Sequence, residues 1–322
     1  MPVHAFIFPG QGSQAVGMGR DLAAAFAAAR EVFEEVDETL KQNLSRLMFD
    51  GPADELVLTE NAQPALMAHS LAVVRVLENE GGFTLCQKAA VVAGHSLGEY
   101  SALAAVGSFS IADAARLLKL RGQSMQKAVP TGVGAMAALL GADMTQAEEI
   151  CAQAARVPNA EPPQREVIQP ANDNGAGQIV VSGHRGAVER GVALAGSKGV
   201  RRAMLLPVSA PFHCALMAPA ADAMAEALTK TPPLVPGIPL VTNVSAGKVA
   251  DPMEIRDLLV RQVTAMVRWR ESVIAMIDLG ANSFVELGAG KVLSGLIRRI
   301  APDAATASAA VPAEVEALLK AL

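Results

Sequence analysis

The sequence predicts an α/β fold, a largely parallel sheet with a small ferredoxin-like unit inserted into it. Three observations carry that expectation. Short apolar runs alternate with long helical segments over residues 1 to about 130. Residues 131–206 then follow the order βαββαβ, the order of a ferredoxin-like split unit. Residues 207–322 return to helix and strand, so they complete the large unit begun by residues 1–130.

The elements follow in order. His4–Phe8 is a strand, and the glycine-rich "FPGQGSQAVGMG" comes directly after it. Asp21–Leu40 reads as one helix, and Pro64–Glu80 as another with proline in its first turn. "AAVVA", Ala89–Ala93, is a short buried strand, followed by helices over about 98–106 and 111–128. In the inserted unit, "GAMAALLG", "REVIQPAN", "GQIVVSG" and "RRAMLLPV" are strands, and "MTQAEEICAQAA" and "RGAVERGVALAGSKG" are helices. Asp251, Pro252 and Glu254 form a capping-box arrangement at a later helix start. "NSFVELG" is a late strand, and the alanine-rich "APDAATASAAVPAE" leads into a terminal helix.

Composition narrows the function. Of 322 residues, 51% are hydrophobic and 18% charged, which suits a folded globular chain. A net charge of −5 gives no general attraction to nucleic acid. No apolar run spans a bilayer and no leader pattern opens the chain, so a cytoplasmic protein without a membrane partner is expected. The three cysteines lack CxxC spacing and the five histidines are scattered, so no metal is expected.

The strongest chemical signal is Gly94-His95-Ser96-Leu97-Gly98, between a strand and a helix. That is the context of a nucleophile elbow, in which small flanking residues permit a turn sharp enough to present the serine. Ser96 is therefore the candidate nucleophile. His213, in "SAPFHCALM", is the best placed of the histidines to act as its base, because it lies on a loop re-entering the large unit. His95 is adjacent, but neighbouring residues in a tight turn point in different directions, so it is a poor partner.

Helical position singles out two more residues. Arg121 falls on the stripe Ile111, Ala114, Leu118, Met125, where a core residue belongs. An unpaired guanidinium there is costly, so it pairs with a structural carboxylate or receives an anionic ligand. Gln262 falls in line with Ile255, Leu259 and Met266, where it needs buried partners. Gly10, Gly12 and Ala15 satisfy a tolerant dinucleotide fingerprint, but no second strand with an acidic end follows. The turn at Gln11 instead suits a backbone donor to an oxyanion.

In order and spacing, "FPGQGSQ", "NAQPAL", "GHSLGEYSALAA", "LLKLRGQSMQ", "SAPFH" and "GAGKVLSGL" resemble the malonyl-CoA:acyl carrier protein transacylases, from about residue 4 to 300. The resemblance implies an α/β-hydrolase-like core and a malonyltransferase of type II fatty acid synthesis. It implies Ser96 as the acylated nucleophile and His213 as its base, with the main-chain carbonyl of Gln262 orienting that base. Gln11 and Leu97 match the backbone oxyanion donors, Arg121 the malonyl carboxylate ligand, and Asn172 an asparagine near the cleft. Phe212 matches relatives that prefer malonyl to bulkier acyl groups. Cys214-Ala215 departs from the Ser-Pro of many members and touches no assigned role.

The implied partners are malonyl-CoA, a substrate rather than a cofactor, and an acyl carrier protein. Carrier proteins are acidic, and Lys198, Arg201 and Arg202 form a candidate docking patch. A monomer is expected. A serine hydrolase would share the elbow without needing Arg121, and malonyl transfer for polyketide synthesis or malonate decarboxylation would share nearly everything.

Overall fold

The computed structural model describes residues 2–322. Ten strands among the described residues form two sheets. The first comprises β1 (His4–Phe8), β2 (Ala89–Gly94), β7 (Leu240–Val241), β8 (Lys248–Val249), β9 (Ser283–Leu287) and β10 (Ala305–Ala309), in the order β10-β9-β1-β2-β7-β8. Every neighbouring pair is parallel except β7 with β8. In β1, Phe6 and Phe8 bury into the larger core with the helix Thr59–Gly81, while Ala5 and Ile7 bury against Trp269 and Val273. Burial on both faces is what a central parallel strand requires.

The second sheet comprises β3 (Gly134–Leu140), β4 (Ile168–Asp173), β5 (Gln178–His184) and β6 (Arg202–Leu205), in the order β4-β5-β3-β6 with antiparallel neighbours. The helices Met144–Ala154 and Arg185–Ala195 cover one face, burying Leu139, Ile150, Val181 and Val188. Met136 and Val180 point the other way, into the core of the first sheet. This is the predicted α/β fold with its ferredoxin-like insertion. No helix among the described residues is long and apolar enough to cross a membrane.

Four local expectations are corrected. The segment 21–40 is two helices, Arg20–Ala25 and Ala27–Leu40, because Phe26 is extended (φ −129°, ψ 125°) and turns the second helix to bury Val32, Phe33 and Val36. Pro64 does not open its helix, which starts at Thr59 and carries Pro64 inside it. Asp251 does cap the helix Pro252–Gln262 by accepting from the Glu254 N–H at 2.9 Å, but no reciprocal bond from Glu254 is formed. The alanine-rich tail contains β10, which extends the parallel sheet beside β9.

Candidate active site

The site lies at the carboxyl ends of β1, β2 and β7, where ligands bind in open α/β sheets. β2 ends at Gly94, and the chain turns through Ser96 into the helix Gly98–Ala105. The turn leaves no room for side chains on either flank. A Cβ on Gly94 would lie 1.9 Å from the Gly98 carbonyl carbon, and one on Gly98 would lie 2.3 Å from the Phe8 oxygen. Ser96 itself adopts φ 52°, the left-handed region that costs a non-glycine residue about 1–3 kcal/mol. The Asn243 side chain, just past β7, holds this strained turn. Its Oδ1 accepts from the Ser96 N–H at 2.7 Å and its Nδ2 donates to the Gly94 carbonyl at 2.7 Å.

Ser96 Oγ is 2.8 Å from His213 Nε2. His213 Nδ1 is 2.9 Å from the main-chain oxygen of Gln262. A carbonyl only accepts, so Nδ1 carries the ring proton and Nε2 is left to accept from the serine hydroxyl. The imidazole is buried, and burial first and the Arg121 charge second push its pKa down to about 3. It is therefore a neutral acceptor throughout the physiological range. Like Ser96, it adopts a left-handed backbone, φ 58°.

Arg121 completes the cluster. It is fully buried, as its place on the apolar stripe of the helix Ile111–Lys127 predicts. The helix is fixed by Ser110, whose side chain caps it by accepting from the Asp113 N–H at 3.0 Å. Nη1 donates to Gln63 Oε1 at 2.9 Å, and Nη2 donates to Gln262 Oε1 at 2.9 Å and to Ser96 Oγ at 3.1 Å. Its acceptors are thus neutral, and no carboxylate forms an ion pair with it among the described residues. Nε has no acceptor among them either. Of the two alternatives open for Arg121, a carboxylate hydrogen-bonded to the guanidinium is not found among the described residues.

A cavity of about 300 Å³ opens over these groups. Gln11, Asn172 and Phe212 line it together with Ser96, Arg121 and His213. The N–H groups of Gln11 and Leu97 are spent on no protein acceptor among the described residues. His95 is held aside, its Nε2 2.9 Å from Asn174 Oδ1 and its ring against Trp269. His4, His69 and His184 bond to Ser283, the Ala310 carbonyl and the Val167 N–H, away from the cavity. No group of three or more metal-binding side chains occurs among the described residues.

The residues missed in the sequence are Gln63, Glu99, Asn174 and Asn243. Gln63 belonged to a quoted motif, but reading Pro64 as a helix start put it outside the helix. The buried helix Thr59–Gly81 in fact begins early enough to aim it at Arg121.

Three buried titratable groups set the pH dependence of stability. His213 falls to about 3 and His69, also buried, to about 4, from an ordinary value of 6.5. Depressed histidines leave the unfolded chain binding more protons below pH 6.5, so their contribution is present above that pH and lost as pH falls. Buried Glu99 works in the opposite sense. Raised from 4.5 to about 8, it withdraws stability as pH rises between those values. The urea midpoint is expected to peak near pH 6.5 and to fall steeply toward pH 4. A midpoint flat over that interval would contradict the burial of neutral imidazoles.

The chain is similar to known proteins along nearly its whole length. The acyl transferase domain family matches residues 5–313. The malonyl CoA-acyl carrier protein transacylase of Escherichia coli K12 is 46% identical over 309 residues, covering 96% of each chain. That of Bacillus subtilis 168 is 42% identical over 321 residues, covering 99% of this chain and 96% of its own. The crystal structure of an acyl-carrier-protein-S-malonyltransferase from Bartonella henselae superposes with a TM-score of 0.93 at 53% identity, covering 99% of both chains. A malonyl-transacylase solved in complex with its type II PKS acyl-carrier protein reaches 0.93 at 39% identity, covering 99% of this chain and 100% of its own. With a family match along nearly its whole length and relatives this similar, the chain is an acyltransferase and belongs to the malonyl CoA-acyl carrier protein transacylase family.

Proposed function

We propose that the chain transfers a malonyl group from malonyl-CoA to the phosphopantetheine thiol of an acyl carrier protein, through an ester on Ser96, in support of fatty acid synthesis. One observation carries the reading. Ser96 Oγ lies within hydrogen-bond distance of both a neutral imidazole and a buried guanidinium that has no carboxylate partner. In a malonyl thioester the carboxylate is two bonds from the carbonyl carbon under attack, so the two ends of the substrate match the two groups.

In the first half-reaction His213 Nε2 takes the Ser96 proton and Oγ attacks the thioester carbonyl. The oxyanion develops toward the N–H groups of Gln11 and Leu97. The C–S bond breaks, and coenzyme A leaves as a thiol with the proton from His213. In the second half-reaction the carrier thiol gives its proton to His213 and its sulfur attacks the ester. Ser96 leaves and recovers the proton, so the kinetics are ping-pong. The Gln262 carbonyl orients the base. Arg121 holds the malonyl carboxylate, while Phe212 and Asn172 bound the acyl space. Coenzyme A thioester is a substrate, and no cofactor enters these steps. We read the chain as a monomer of two units, residues 1–130 with 207–322 and residues 131–206, with the site in the cleft between them.

The carrier protein is assigned to the surface beside β6. Arg201 and Arg202 are exposed there, with no acidic partner among the described residues, and Leu206, Pro207 and Val208 just beyond them line the cavity. Lys198 is already engaged by Glu149 at 3.3 Å, which leaves the two arginines as the free charges. Reversing both to Glu is expected to slow transfer to the carrier by about tenfold at low salt while sparing acylation by malonyl-CoA. Equal loss in both half-reactions would remove the patch from the account. The function itself is tested by incubating the enzyme with malonyl-CoA and purified carrier protein, then weighing the carrier. A carrier that gains malonyl only with enzyme present supports the reading, and one that never gains it sinks it.

A further inference from the structure

Among the described residues the buried carboxyl groups are Asp173, Glu286 and Glu99. Two have evident structural duties. Asp173 Oδ2 accepts from Arg270 Nε at 2.9 Å, and Glu286 accepts from the N–H groups of Leu293 and Ser294 at a helix start. Glu99, only 1% exposed, does neither. Its Oε2 accepts from the side-chain amide of Gln262 and, at 3.3 Å, from the N–H of Asn243. Arg121 is near enough for its charge to act on Glu99, yet all its hydrogen bonds go elsewhere.

Gln262 joins three parts of the site. Its main-chain oxygen orients His213, its Oε1 receives Arg121, and its Nε2 donates to the Ser96 carbonyl at 2.9 Å. That arrangement depends on the amide facing one way. Arginine is donor-only, so Oε1 must face it, and Nε2 must then find acceptors on the other side. Glu99 is an acceptor placed there. An ionised Glu99 would also serve as acceptor, but it would neutralise Arg121 and oppose a second carboxylate.

We propose that Glu99 is a positioning residue that works as a neutral carboxyl: it orients the Gln262 amide and leaves the charge of Arg121 available to the malonyl carboxylate. The inference rests on the malonyl-transfer reading above. Burial supports the neutral form, pushing the Glu99 carboxyl up to about 8 against the pull of its hydrogen bonds and Arg121. The other titratable groups around it are held toward their neutral forms. Tyr100 on its own helix is pushed up by burial, and His95 and His213, beyond Ser96, are pushed down. On the neighbouring helix Thr59–Gly81, His69 is bonded to Ala310 and held near 4, and on β1 His4 is also lowered.

The test is the ratio of kcat/KM for malonyl-CoA to that for acetyl-CoA, followed across pH. Ser96 and His213 act on both substrates, so their titrations cancel in the ratio. In the parent enzyme the ratio is expected to fall by at least about tenfold as pH rises through the ionisation of Glu99. In Glu99→Gln, a neutral acceptor of the same shape, it is expected to stay flat. A ratio flat in the parent, or falling in parallel in Glu99→Gln, would overturn the proposal. Glu99→Ala, which removes the acceptor, is expected to slow acylation by malonyl-CoA about tenfold or more while Glu99→Gln stays within about threefold of the parent. Glu99→Gln as impaired as Glu99→Ala would also overturn it. Should Glu99→Ala not fold, the parent and Glu99→Gln profiles still decide. A parent enzyme that transfers no malonyl at all would instead strike the underlying reading, a result distinct from any of these.

Discussion

Arg121→Ala is expected to lower kcat/KM for malonyl-CoA by about two orders of magnitude or more, and to leave acetyl-CoA turnover equal to or better than the parent's. The guanidinium is fully buried, and its hydrogen bonds reach only neutral oxygens. Pairing it with a malonyl carboxylate supplies the ion pair that no carboxylate among the described residues forms with it. Truncating one partner of such a pair costs about 2–5 kcal/mol. Acetyl forfeits nothing of that kind. It gains in one respect, because the Arg121 charge is the second cause of the depressed His213 pKa. Removing that charge makes His213 a stronger base. Gln63 and Gln262 lose a donor in the variant, which lowers stability by about 1–3 kcal/mol, so kcat/KM must be taken on folded protein. Arg121→Lys should recover little, since an ammonium lacks the planar fork. Malonyl-CoA and acetyl-CoA falling by the same factor would make Arg121 structural and end the dicarboxylate argument.

Ser96→Ala is expected to reduce malonyl transfer by about four orders of magnitude or more while the protein stays folded. The elbow's shape does not depend on the hydroxyl. It is set by Gly94 and Gly98, which meet neighbouring backbone too closely to carry a Cβ, and by Asn243, which bonds the Ser96 N–H rather than its side chain. The circular dichroism spectrum should therefore match the parent's, and the free energy of unfolding should lie within about 1 kcal/mol of it, the scale of one lost hydrogen bond. A folded Ser96→Ala protein that still transfers malonyl would mean that another group carries the acyl chain.

The parts of this site that are legible in the sequence are those with a local steric or periodic cause. The elbow is one, because a serine between two glycines at a strand-to-helix turn is demanded by backbone crowding within five residues. Arg121 and Gln262 are others, because helical periodicity alone puts both on buried stripes. The illegible parts depend on distant contacts or on elements too short to carry a pattern. Glu99 meets Gln262 across 163 residues, and an acidic residue in a first helical turn ordinarily reads as a favourable dipole partner. Asn243 follows the two-residue strand Leu240–Val241, which offers no alternation to detect. Gln63 is hidden by its neighbour, since proline is a strong helix-start signal and the extra turn from Thr59 contradicts it. β10 escapes for a compositional reason. "ATASA" has no large apolar side chain, and its place beside β9 is fixed by backbone pairing and the sheet it completes.

The central claim, a malonyl ester on Ser96, is tested most directly by incubating the enzyme with malonyl-CoA alone and mapping the adduct by peptide mass spectrometry. One malonyl group is expected on the peptide containing Ser96, released when the carrier protein is added and absent from Ser96→Ala. A malonyl group on Cys86, Cys151 or Cys214 that is passed to the carrier, or transfer to the carrier with no acylated Ser96 at any time, would contradict it.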